Sequence, residues 1–91
     1  MPPAHAPNTS LRGKPARRGT NRLARFTFTA DLPGARFECR LDRAPFKPCR
    51  SPFTHRVGPG AHRFQVRAVL AGLADPSPAS FRWRVSGKGP R

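Results

Sequence analysis

The sequence predicts a small all-β domain, an antiparallel sandwich or barrel of about six short strands. Apolar and polar residues alternate along several segments, which is the period of a β-strand. The 91 residues include 8 glycines and 12 prolines, a content that disfavours long helices and favours short strands joined by tight turns. No apolar run of about 18 residues or more occurs, so we predict no membrane-spanning helix.

Composition divides the chain into an arm, a domain and a tail. Residues 1–25 carry basic side chains but no acidic and no aromatic ones, so we predict a basic, proline-rich, extended arm that is disordered unless bound. All aromatic residues lie in residues 26–86, the predicted sandwich, and residues 87–91 form a polar tail. Because the arm supplies no periodic strand, we expect the sandwich to fold without it.

The predicted strands cover residues 26–30, 35–42, 46–49, 53–57, 62–70 and 81–85. Alternation within them separates an inward set from an outward set. The inward set is expected to be mostly Phe, with Trp83 and both cysteines. Alternation assigns to it Phe26, Phe28, Ala35, Phe37, Cys39, Leu41, His62, Phe64, Val66, Ala68, Leu70, Phe81, Trp83 and Val85. Phe64 and Trp83 stand in the middle of the most regular strands, and we expect the core to depend on them.

The two cysteines, Cys39 and Cys49, are ten residues apart in the sequence. They are too few for a zinc site and do not form a Cys-x-x-Cys motif. A disulfide between neighbouring strands is favoured, which indicates an oxidising or extracellular setting. Two buried free thiols remain the alternative.

The order of short motifs along the domain is distinctive. Phe-Glu-Cys at residues 37–39 is followed by Pro-Cys at 48–49, His-Arg-Phe-Gln-Val-Arg-Ala at 62–68, and Asp-Pro-Ser-Pro-Ala at 75–79. Over residues 26–86 this order resembles the immunoglobulin-like modules that are repeated in large bacterial surface and secreted proteins. The resemblance implies an immunoglobulin-like β-sandwich with paired cysteines. It also implies a non-catalytic spacer, adhesive or interaction domain.

The titratable residues do not form a catalytic or metal-binding pattern. No metal-spaced His/Cys/Asp set, nucleophile elbow or phosphate loop is present. His62 is expected to be a hydrogen-bonded residue, and Asp31 and Asp75 are expected to bind local backbone N–H groups beside turns. We therefore predict a non-enzyme with no catalytic residues, no metal site, no cofactor and no small-molecule substrate.

The net charge of +14 predicts an anionic partner. Arg63 and Arg67 are expected near Arg82 and Arg84, with no acidic residue beside them, and like charges opposite one another are destabilising. A solvated arginine-rich surface is the alternative. The candidate partner-binding residues are Arg12, Lys14, Arg17, Arg18, Arg22, Arg25, Arg63, Arg67, Arg82 and Arg84.

The leading hypothesis is a structural or interaction module that docks on a larger protein assembly, such as a capsid, or on a cell surface. It implies an extracellular, cell-surface or virion location. The alternative is a nucleic-acid-binding accessory protein that acts through the basic arm and the arginines. That alternative lacks support from aromatic residues on which bases could stack, because the eight aromatic residues fit core positions and no Tyr is present.

Overall fold

The computed structural model of the protein describes residues 6–86, and the regular structure in this range is β-strand. The predicted tail at residues 87–91 and residues 1–5 of the predicted arm lie outside the described residues. Residues 6–86 contain no helix long and apolar enough to cross a membrane. The strands are β1 (Thr9–Gly13), β2 (Arg18–Gly19), β3 (Leu23–Ala30), β4 (Arg36–Leu41), β5 (Lys47–Cys49), β6 (Phe53–Arg56), β7 (Gly60–Leu70), β8 (Leu73–Ala74) and β9 (Ala79–Val85).

The strands form two sheets. The smaller sheet has the order β1-β3-β6, and the larger has the order β2-β9-β7-β4-β5, with β8 paired to β7. Neighbouring strands are antiparallel except for β2 and β9, which are parallel. The predicted all-β, mainly antiparallel class is confirmed.

Aromatic side chains from both sheets meet in the core. Phe26 of β3 stacks on Phe64 of β7 with ring centroids 3.9 Å apart, and both side chains are fully buried. Trp83 of β9 meets the Phe26 ring edge-on at 5.3 Å. The predicted alternation is confirmed in β3, β7 and β9, because their buried residues occupy every second position.

The N-terminal segment differs from the predicted arm. Strand β1 pairs with β3, Leu11 packs against the core, and β2 pairs with the end of β9. Residues from Thr9 onward therefore contribute a strand to each sheet, whereas the sequence placed everything up to residue 25 outside the sandwich. The pattern missed β1 because Leu11 is its only large apolar residue.

Two carboxylates from distant parts of the chain hold β1 in place. Asp75 is buried, and its Oδ2 accepts hydrogen bonds from the backbone N–H of Thr9 at 2.9 Å and from its hydroxyl at 2.7 Å. The same hydroxyl accepts a bond from the Ala68 N–H of β7 at 2.8 Å. Asp31 accepts bonds from the backbone and side-chain amides of Asn8. These contacts replace the apolar burial that β1 lacks.

A tight hairpin follows β7, in the interval between the predicted strands at 62–70 and 81–85. Ala71 and Gly72 both have positive φ angles, 52° and 78°, and they connect β7 to the short strand β8. Two central residues with positive φ are typical of the two-residue turn whose twist matches that of paired strands. The hairpin returns the chain so that Asp75 lies next to β7, where its N–H binds the Ala68 carbonyl at 2.9 Å.

The predicted disulfide is confirmed. Cys39 and Cys49 are bonded to each other, with their Cα atoms 5.8 Å apart. The bond joins the neighbouring strands β4 and β5 of the larger sheet. It attaches the short edge strand β5, which contains Pro48 and so has one backbone donor fewer for pairing.

Truncating Phe64 should remove much of the packing between the two sheets and so destabilise the fold. Phe64→Ala removes a fully buried ring, so the free energy of unfolding should fall by about 3–5 kcal/mol, as measured by urea denaturation. Phe46→Ala is the matched control, because Phe46 lies outside the core cluster and should cost about 1 kcal/mol or less. Equal losses in the two variants would contradict the assigned core.

Removing the Asp75 carboxylate should loosen β1. Asp75→Ala leaves the N–H and hydroxyl of Thr9 without this acceptor, so we expect a loss of about 1–3 kcal/mol in unfolding free energy. Amide hydrogen exchange should accelerate in β1 more than in β4. Thr54→Ala, an exposed change on β6, is the control and should leave both measurements unchanged. Unaltered exchange in β1 would show that the anchor is dispensable.

Candidate anion-binding face

The outer face of the larger sheet is rich in arginine. Because Cys39, Phe64, Val66, Phe81 and Trp83 are buried, their neighbours along β4, β7 and β9 point away from the core. We define the arginine face as the outward residues Arg36, Arg40, Arg63, Arg67, Arg82 and Arg84. The face therefore arises from the strand period acting on three adjacent strands.

Like charges meet directly on this face. Arg63 lies opposite Arg82 in the pairing of β7 with β9, as predicted. The predicted proximity of Arg67 to Arg82 and Arg84 is wrong, because the pairing ends at Val66 and Arg84 lies opposite Ala61. Arg84 is in register with Arg18 of β2, so one predicted arm residue joins the edge of the face. Juxtaposed guanidinium groups destabilise a sheet, and an anion bound between them would reduce that repulsion.

Arg67 does not fit the prediction that no acidic residue lies beside it. Its Nη2 is 2.8 Å from Oε1 of Glu38, and its Nε donates to the same oxygen at 2.8 Å. The prediction was wrong because it considered only the β9 side of β7. On the other side β4 places Glu38 opposite Arg67.

The remaining predicted binding residues are dispersed. Arg12 and Arg25 lie on the outer side of the smaller sheet, where Arg12 Nε donates to Thr29 Oγ1 at 3.3 Å. The cationic groups of Lys14 and Arg17 both lie 5.7 Å from the centre of the Phe81 ring. Arg22 is exposed between β2 and β3. The structure therefore does not gather the basic residues before residue 26 into one patch.

Sequence reasoning missed Arg36, Arg40 and Arg43. Arg36 and Arg40 were part of the predicted outward set of their strand, but the sequence does not show that this strand adjoins β7. Phe46 adds a further feature, because the guanidinium groups of Arg67 and Arg40 lie 4.0 Å and 5.3 Å from its ring centre. Cation–π attraction of this kind helps to position the guanidinium groups.

The four acidic side chains of the chain are all engaged in internal contacts. Their partners are Asn8 for Asp31, Arg67 for Glu38, His62 and the Arg63 N–H for Asp42, and Thr9 and the Ser77 N–H for Asp75. The bond to Ser77 confirms the expectation that Asp75 binds a local backbone N–H. Most of the basic side chains consequently have no carboxylate to neutralise them.

His62 is hydrogen-bonded through both ring nitrogens. Nδ1 lies 2.8 Å from Asp42 Oδ2, and Nε2 lies 2.6 Å from the Gly58 carbonyl oxygen. Only the doubly protonated ring can donate to both acceptors. Burial opposes protonation, but the hydrogen bond to Asp42, the bond to Gly58 and the charge of Asp42 outweigh it and raise the pKa of His62 above 6.5.

This raised pKa predicts that the domain loses stability as the pH rises. The stabilisation is complete below about pH 6.5, where His62 is charged in both states, and it disappears as the pH passes the higher pKa of the folded state. Urea midpoints should therefore be higher at pH 5.5 than at pH 8.5. Asp42→Asn should reduce the difference, whereas His55→Gln, an exposed control, should not. Identical pH profiles for the wild type and Asp42→Asn would contradict the assignment.

Comparisons with known proteins do not place the chain in a family. Within residues 6–86, no group of three or more His, Cys, Asp and Glu side chains is arranged to hold a metal ion. No protein-family model, no curated protein and no solved structure matches the chain.

Proposed function

We propose that the protein is a non-catalytic, immunoglobulin-like module that docks on a larger protein assembly or surface through its arginine face. The observation that carries this proposal is the set of arginines on one outer sheet face, where both carboxylates, Glu38 and Asp42, already bind groups of the chain. A rigid sheet with an excess of guanidinium groups suits an acidic protein surface, since each group can bind a carboxylate through two parallel hydrogen bonds.

The strand order supports the immunoglobulin-like assignment. Immunoglobulin-like sandwiches place strands C, F and G in one sheet and strands A, B and E in the other. Here β4, β7 and β9 correspond to the first group, and β1, β3 and β6 to the second. The disulfide departs from the antibody pattern, because it joins β4 to β5 within one sheet rather than linking the two sheets.

A non-catalytic role is supported by the hydrogen bonds that the carboxylates and His62 make within the chain. The carboxylates bind backbone amides, arginine or histidine, and His62 bonds through both ring nitrogens. A general base needs a nitrogen or oxygen that is available to the substrate. The disulfide supports an oxidising environment, and we propose an extracellular, cell-surface or virion location.

Nucleic-acid binding is the alternative, and the net charge of +14 favours it. Phe26, Phe64 and Trp83 are core residues that cannot stack on bases, and Phe46 is flanked by two guanidinium groups. Recognition would therefore rest mainly on phosphate contacts. This is why the protein partner is preferred.

Site-specific photocrosslinking tests the docking face. A benzoylphenylalanine at Ser80, which lies on β9 opposite Gln65, should crosslink to a protein in the native source, whereas one at Thr54 of the smaller sheet should not. The triple variant Arg63→Gln/Arg82→Gln/Arg84→Gln should lower the crosslinking yield at least about tenfold, because it removes charge-assisted contacts. Arg12→Gln/Arg25→Gln/Arg56→Gln, with the same net charge, is the matched control and should change it less than about threefold.

Two results would overturn the proposal. Equal loss of yield in the two triple variants would mean that binding follows net charge rather than the arginine face. Adducts that nuclease treatment abolishes would assign the partner as nucleic acid and favour the alternative.

A further inference from the structure

A depression on the outer surface of the larger sheet concentrates positive charge. It has a volume of about 430 Å³ and lies where the end of β4 meets β7 and β9. Its lining residues are Arg40, Asp42, Arg43, Ala61, His62, Arg63 and Arg82. It is distinct from the neighbouring depression beside β2, where only Arg18 and Arg84 contribute charge.

The charges around this depression do not cancel. Asp42 is the only acidic lining residue, and both of its oxygens are engaged, Oδ2 with the His62 ring and Oδ1 with the Arg63 N–H at 2.9 Å. The lining guanidinium groups therefore outnumber the carboxylate by three. A surface depression lined by an excess of one sign of charge attracts an ion of the opposite sign.

The arginines are also partly positioned and have unused donors. Arg63 Nη2 donates to Gln65 Oε1 at 3.1 Å, and the Arg40 guanidinium group lies over the Phe46 ring, 5.3 Å from its centre. Among the contacts of residues 6–86, the guanidinium groups of Arg40, Arg43 and Arg82 have no hydrogen-bond acceptor. Each guanidinium carries five N–H donors in a planar fork that matches the oxygens of a phosphate.

We propose that this depression, the arginine pocket, is a binding site for a dianionic phosphate, either inorganic phosphate or a phosphate monoester carried by the partner. The surplus of three positive charges favours a dianion over a monoanion such as a carboxylate or a phosphodiester. A tetrahedral phosphate also presents oxygens in several directions, so it can accept hydrogen bonds from guanidinium groups that approach from three different strands. The proposal rests on the proposed function in that the pocket lies on the docking face.

Titration of the full chain with inorganic phosphate at constant ionic strength and pH 7.5, followed by calorimetry and NMR, tests the site. We expect saturable binding that shifts the Arg40 side-chain N–H signal. Arg40→Gln/Arg43→Gln should weaken this binding at least about tenfold. Arg36→Gln/Arg84→Gln, which removes the same charge from the same face outside the pocket, should weaken it less than about threefold.

Competing ligands identify the anion. If the partner carries the phosphate group, phenyl phosphate, a monoester, should bind as tightly as inorganic phosphate. If the site takes the free ion, inorganic phosphate should bind and phenyl phosphate should not. Acetate and dimethyl phosphate should bind at least about tenfold more weakly than the dianion. Equal binding of acetate, equal effects of the two double variants, or the absence of saturation would overturn the proposal.

The two proposals fail in different ways. If phosphate does not bind but crosslinking still depends on the arginine face, only the arginine pocket is refuted. If phosphate binds as expected but crosslinking is insensitive to the triple variant, the docking function is refuted and the pocket stands. Far-UV circular dichroism and urea midpoints of each variant establish that a loss of binding does not come from unfolding.

Discussion

The stack of Phe26 on Phe64 is the contact on which the rest of the sandwich depends. It joins the only long strand of the smaller sheet to the longest strand of the larger one, with centroids 3.9 Å apart. Because side chains alternate along a strand, burying Phe64 directs Arg63 and Gln65 outward. The arginine face is therefore a consequence of core packing, and a register shift of one residue would bury guanidinium groups.

The second constraint is the small number of carboxylates. Four acidic residues serve a chain with 18 lysines and arginines, and the fold uses each of the four internally. Asp31 and Asp75 attach the N-terminal strand, while Glu38 and Asp42 bind residues of β7. Since these carboxylates are structural, the excess positive charge remains on the surface and concentrates where arginine-bearing strands are adjacent.

Opposed cations such as Arg63 and Arg82 are tolerated because water screens them and because the core beneath them is well packed. Such an arrangement does not improve the stability of the isolated domain. It is readily explained if the face binds an anion, because an anion between two guanidinium groups is attracted to both and offsets their mutual repulsion. If the proposed function holds, the same strands meet two demands, because their inward residues form the core and their outward arginines would bind the anion.

The sequence alone predicted the all-β class and the inward positions of the long strands, and it favoured a disulfide over two free thiols, because a period of two and a nearby cysteine pair are local signals. It did not reveal β1, whose attachment depends on Asp75, a residue 66 positions away from Thr9. Nor did it reveal that Arg67 meets Glu38, or that Arg40 and Arg43 approach Arg63 and Arg82. These contacts depend on the strand order within the sheet, which determines which outward side chains become neighbours. That order arises from long-range pairing that no local pattern encodes.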